Sequence, residues 1–183
     1  MVTSGIHDWT LLKTTQSGYE GFLRDKLTLL PYTNERMLAS SITVDWTYKK
    51  EFLFENVNNK AATKEQIDYD SFADELKKSM MDMFFGNEKT GVYSPSVQYT
   101  MHKMGVNALK NIDVIEAITL NMPNIHFIPM HNPKLGIHFN DDVFIATSEP
   151  HGTIEATITR NDIDKVESRK ALERHPAFPY ARL

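Results

Sequence analysis

A chain of 183 residues is long enough to bury one ordinary core and short for two, so a single domain is the expectation. Its 41% hydrophobic and 24% charged residues, with only eight glycines and eight prolines, exclude a disordered or fibrous chain. A net charge of −4, with 20 Lys and Arg spread along the sequence, leaves no basic footprint for nucleic acid or an acidic membrane. The absence of cysteine removes disulfides, thiolate metal ligands and thiol nucleophiles together, and fits a reducing or redox-indifferent compartment. No apolar run approaches the ~20 residues that span a bilayer, and "MVTSGIHDWT" lacks the basic and apolar regions of a secretory signal.

In chain order, residues 8–16 and 36–48 read as strands. In the second, Ile42, Val44, Trp46 and Tyr48 alternate with Thr43, Asp45 and Thr47, a period of two. The polar stretch from Glu51 to Glu65 reads as a loop. "SFADELKKSMMDMFFG" then sets Phe72, Leu76, Met80 and Met83 on one helical face, with Ser71 and Asp74 as a capping box and a stop at Gly86. A second helix follows "GVYSP", with Ser94 as cap, Pro95 at the first helical position, and Val97, Met101, Met104 and Ala108 as its apolar stripe. Met fills irregular gaps well, so the stripe reads as core.

Short β-branched runs come next, "VIEAITLNM", "IHFIPM", "DDVFIA" and "TIEATITR". The order strand, strand, helix, helix, strand, strand predicts an α+β domain, an antiparallel sheet with two helices packed on one face, because each amphipathic element then has a partner layer for its apolar side. This domain is expected over residues 1–160. Residues 161–183 form a polar, then Pro-containing tail, expected to be loosely held. It ends in Ala181, Arg182 and Leu183, the small, basic, leucine pattern of a C-terminal peroxisomal address.

Common sites are missing. There is no GxGxxG and no P-loop, and "DYDSFADELKKS" has Ala73 where a calcium loop needs glycine and Ser79 where it needs a bidentate Glu. The seven histidines include no HExxH and no pair three or four apart, so no metal is expected.

A few polar residues at the edges of elements remain. Val97 and Gln98 stand in the first turn of the second helix, where backbone N–H groups lack intrahelical partners and the dipole favours anions. Asn124 and His126, two apart in "MPNIHF", leave one face of a strand together, with Ile125 opposite. Arg36 offers a planar fork of donors for an anion, and Tyr19 a ring face for stacking. Taken singly, each has an ordinary reading as a surface, rim or core residue.

"LKTTQSGYEGFLRDKLTLLPYTNERMLASSITVDWTY", "YSPSVQYTMHKM" and "MPNIHF" together, in this order and spacing, resemble the C-terminal half of urate oxidase (uricase), over roughly residues 4–160. The resemblance implies a tunnelling fold in which an antiparallel sheet carries two helices. It also implies the oxidation of urate by molecular oxygen and water to 5-hydroxyisourate and hydrogen peroxide, without metal or organic cofactor. Arg36 is then the fork on the urate anion, and Gln98 and the Val97 N–H hold the purine's other side. Asn124 holds the oxygen or water above the ring, and His126 belongs to the proton relay. Tyr19 is the stacking face, where the family usually has phenylalanine.

In the family an N-terminal tunnelling domain supplies a lysine and a threonine across a subunit interface, and no equivalent can be read in this sequence. The implied partners are therefore urate, oxygen, further copies of the chain (a homotetramer in the family) or an N-terminal half, and a peroxisomal import receptor. The alternative is a purine-binding or assembly module without turnover.

Overall fold

In the computed structural model, residues 1–29, 31–55, 67–130 and 143–163 are described. Among the described residues the main elements follow one another as β1 (Thr3–Lys13), β2 (Leu38–Tyr48), α1 (Tyr69–Phe84), α2 (Val97–Asn111), β3 (Ile115–Pro123), β4 (His126–Pro129), β5 (Phe144–Thr147) and β6 (Thr153–Thr159). β1, β2, β3 and β6 form one antiparallel sheet in that order, and β4 and β5 form a separate antiparallel ribbon. The main sheet thus has the anticipated ββααββ order, with the ribbon inserted between its last two strands.

β2 lies at the centre and shows why the sheet forms. Ile42, Val44, Trp46 and Tyr48 are all buried, while Asp45 on the opposite face is exposed. Pairing of Val44 with Leu120 and Trp46 with Ile118 on β3, and of Ile118 with Ile158 on β6, makes one continuous apolar face. Leu76, Met80 and Phe84 of α1 and Met101, Met104 and Ala108 of α2 close over it. The two helices therefore cover one side of the sheet, and Met80, Met101 and Met104 are core. α2 comes especially close to β6: a Cβ on Gly105 would lie 2.8 Å from Ile158 Cδ1.

Several boundaries differ from the sequence reading, each for a physical reason. β1 starts at Thr3 and ends at Lys13, because Gln16 turns the backbone to φ 58° and takes the chain out of the sheet. Residues 50–55 are helical rather than loop. Phe52 there lies 5.9 Å from the Tyr48 ring and 5.8 Å from Phe72, so tertiary packing supports a turn that the polar composition does not announce. The rest of the expected loop, residues 56–66, lies outside the described residues.

The cap of α1 is Asp68, whose carboxylate accepts from Ser71 N at 3.1 Å, and the box expected at Ser71 and Asp74 is not used. Starting earlier lets Tyr69 join the Tyr48 cluster at 5.3 Å. Gly86 does end α1, at φ 74° with its N–H on Asp82 O. The cap of α2 is Ser96, not Ser94, because Ser94 is committed to pairing with Ser17. Residues 160–163 make a short helical turn whose Ile163 packs against the core.

Candidate functional site

Backbone hydrogen bonds gather the singled-out stretches around the start of β2. After β1, residues 17–20 run alongside the approach to α2: Ser94 N donates to Gln16 O (2.9 Å), Gly18 N to Ser94 O (2.8 Å) and Glu20 N to Pro95 O (3.1 Å). Tyr19 is thereby held beside the first turn of α2. The returning chain is tied to the same segment, with Arg36 N on Ser17 O at 2.8 Å and a reciprocal pair between Tyr19 and Thr33. Three residues further on, Ala39 O accepts from Ile125 N at 3.1 Å, which brings Asn124 and His126 to the other flank.

The Tyr19 ring stacks on Phe22 with centroids 4.6 Å apart and planes at 22°. Phe22 in turn meets Tyr32 at 5.1 Å, and the Arg24 guanidinium lies 4.9 Å from the Tyr32 ring centre. The guanidinium carbon of Arg36 lies 5.2 Å from the Tyr19 ring centre. Arg36 Nε is buried and has no hydrogen-bond partner among the described residues. Burial pushes the Arg36 pKa down, with Tyr19 and Tyr93 acting in the opposite direction. A buried donor without a partner, on a side chain that remains charged, is a site prepared for an anion.

At the start of α2, the Ser96 side chain takes Tyr99 N and its carbonyl takes Thr100 N. The N–H groups of Val97 and Gln98 are those left without intrahelical partners. The Val97 side chain is buried and Gln98 is exposed. Asn124 and His126 do not share one strand as expected. β3 ends at Pro123 and β4 starts at His126, so Asn124 and Ile125 form the bend where the chain passes from sheet to ribbon. Asn124 N donates to Gly152 O at 2.8 Å, and His126 Nε2 lies 3.0 Å from Pro150 O.

Sequence reasoning missed Phe22, which backs Tyr19, and Tyr93. The Tyr93 phenol is held above its ordinary pKa by desolvation and by a hydrogen bond to Glu20, with Arg36 opposing. Nothing in a lone "GVYSP" marks that tyrosine, because its neighbours come from residues about sixty to seventy positions earlier.

Lys13 and Thr15 do not join the clamp. The Lys13 ammonium is buried on Phe84 O (2.9 Å) and Val92 O (2.8 Å), and Thr15 Oγ1 donates to Glu35. Two hollows lie elsewhere. One of about 540 Å³ is lined by Lys13 to Gln16 and the loop after α1, and one of about 620 Å³ by Met1, Tyr48 and Phe54 among others. Neither includes Tyr19, Arg36, Gln98, Asn124 or His126.

The family model described as Uricase matches residues 2–155. Among curated relatives, the uricase of Arabidopsis thaliana is 49% identical over 164 residues, covering 87% of this chain and 51% of its own length. The uricase of Oryctolagus cuniculus is 31% identical over 160 residues, covering 87% of this chain and 49% of its own. Among solved structures, the uricase of Arthrobacter globiformis superposes with a TM-score of 0.68 at 30% identity, over 86% of this chain and 48% of that one. The chain spans about half the length of the curated relatives it matches. With a family model over most of its residues and relatives well above 30% identity, the chain belongs to the uricase family.

Proposed function

We propose that this chain supplies the urate-clamping half of a urate oxidase site. The observation that carries the reading is Arg36, a half-buried guanidinium with an unpartnered Nε, set beside the Tyr19 ring and the start of α2. In this reading urate stacks on Tyr19, with Phe22 behind it, and its anionic edge takes the Arg36 fork. Gln98 and the Val97 N–H bind the opposite edge. Each charge-assisted bond contributes about 1.5–3 kcal/mol, so the clamp fixes the purine in plane. Asn124 holds oxygen or water over the ring, and His126 moves a proton.

The reaction is the oxidation of urate by O2 with addition of water, giving 5-hydroxyisourate and H2O2. The water oxygen joins the purine, and O2 takes up two electrons and two protons. No metal or organic cofactor enters it. General acid–base work needs groups within hydrogen-bond reach of the reacting atoms. The ammonium of Lys13 is engaged by two backbone carbonyls. The catalytic lysine and threonine are therefore assigned to a partner surface, from further copies of the chain assembled as a homotetramer or from an N-terminal half. The domain is taken as residues 1–160. Residues 161–183 are taken as a tail whose final Ala-Arg-Leu an import receptor reads, which puts peroxide production in the peroxisome; Ala181, Arg182 and Leu183 lie outside the described residues.

The second reading, a purine-binding or assembly module without turnover, is favoured by the engagement of the Lys13 ammonium by two backbone carbonyls. Urate consumption and peroxide release by the purified chain, beside calorimetric urate binding, separate the two. Turnover lost in both Arg36→Ala and Gln98→Ala supports a complete site. Arg36-dependent binding without turnover supports the clamp alone, and no Arg36-dependent binding overturns both readings.

A further inference from the structure

His126 has one ring contact that determines how it can work. Its Nε2 lies 3.0 Å from Pro150 O, and a backbone carbonyl only accepts. The ring therefore carries its proton on Nε2, and in the neutral ring Nδ1 holds the lone pair.

The register of the strands explains why Pro150 is there. His126 pairs with Thr147 on β5, and Pro123 pairs with Thr153 on β6. The turn 148–152 must then lie directly opposite the bend made by Asn124 and Ile125. It offers that bend two acceptors, Gly152 O to the Asn124 N–H at 2.8 Å and Pro150 O to the His126 ring. The turn is itself braced: Glu149 N donates to Thr147 Oγ1 (3.1 Å), and His151 N to the Glu149 carboxylate (3.2 Å). Ile125, between the two, is tied independently to Ala39 O.

We infer that the turn 147–152 is a positioning device for Asn124 and His126, and that through Pro150 O it holds His126 as the Nε2–H tautomer with Nδ1 as the atom that accepts and returns a proton. This rests on the relay role proposed for His126 and adds the atom that performs it. When Nδ1 takes a proton from water or a bound oxygen species, the imidazolium keeps its Nε2–H on the carbonyl. The ring need neither flip nor lose its anchor. Thr147 and Glu149 touch no reacting atom and act only through His126 and Asn124.

The test is nitrogen NMR on the full chain with 15N-labelled histidine, the His126 signals being those lost in His126→Gln. The expected result for the unsubstituted chain, above the pKa of the ring, is one tautomer with a directly visible, slowly exchanging Nε2–H. Thr147→Val and Glu149→Ala should each make that proton exchange at least tenfold faster and admit the second tautomer, while Thr147→Ser, which keeps the hydroxyl, should behave like the parent. An Nδ1–H tautomer, an even mixture in the parent, or exchange unchanged in both variants overturns the inference. The readout needs no urate, so its failure is distinct from failure of the urate reading, which shows as absence of Arg36-dependent binding.

Discussion

Arg36 concentrates the conflict between stability and function that a binding site creates. Its Nε is buried without a partner, and burial works against its charge. An unmade hydrogen bond of this kind costs about 1–3 kcal/mol in the ligand-free chain. Arg36→Met keeps the aliphatic packing and removes the orphan donor. It should raise stability by about 1 kcal/mol, or roughly 2–4 °C in Tm for a chain of this size, while weakening urate binding at least about a hundredfold. Calorimetric unfolding and urate titration of the same sample check both halves. A variant less stable than the parent would show that the guanidinium is already satisfied without ligand. Arg36 was legible in the sequence through its family motif. Tyr93 and Phe22 were not, because what makes them matter is who stands next to them.

At the scale of elements, the join between β1 and α1 is titratable. Lys13, the last residue of β1, reaches the C-terminal end of α1 at Phe84 O and the following loop at Val92 O. Burial lowers its pKa from 10.5 to about 8. The unfolded chain then holds this proton more tightly than the folded one between about pH 8 and 10.5, so the contribution to stability rises with pH across that window. The neutral amine keeps two N–H donors for the same two carbonyls, so the join survives deprotonation. Urea midpoints at pH 7 and 9.5 should move further apart in the parent than in Lys13→Met, and equal differences would refute the assignment. A second element-scale contact is the closeness of α2 to β6. Gly105→Ala gains about 1 kcal/mol of helix propensity. It also forces the added Cβ to within 2.8 Å of the buried Ile158 side chain, and overpacking of that kind costs about 1–3 kcal/mol. Chemical denaturation should show a net loss of about 1 kcal/mol.

Among the described residues the main sheet ends in two edge strands, β1 and β6, and a loop carries Leu23, Leu27 and Leu29, 93%, 77% and 92% exposed. Open sheet edges and clustered exposed leucines both favour association. The proposed homo-oligomer or paired half therefore has a surface to form on. Sedimentation of the 21.0 kDa chain should show species heavier than the monomer at micromolar concentration, reduced when Leu23, Leu27 and Leu29 are all changed to Ser. A strictly monomeric parent would count against association through these surfaces.

The sequence by itself determined the elements that rest on local physics. The period-two alternation of β2 and the 3.6-residue stripes of the helices say which faces are apolar, and those faces can be satisfied only by stacking helices on one side of a sheet. Its motifs also determined the family, because residues of the right type stand in the right order. Only the tertiary structure decided which Asp or Ser caps each helix, that Asn124 sits in a bend and not a strand, and that Arg36 is left with an unpaired donor. Those outcomes depend on contacts between residues well separated along the chain, such as Ser17 with Ser94, Arg36 with Tyr19, and His126 with Pro150. No local pattern records such contacts, since they exist only once the strands have taken their register.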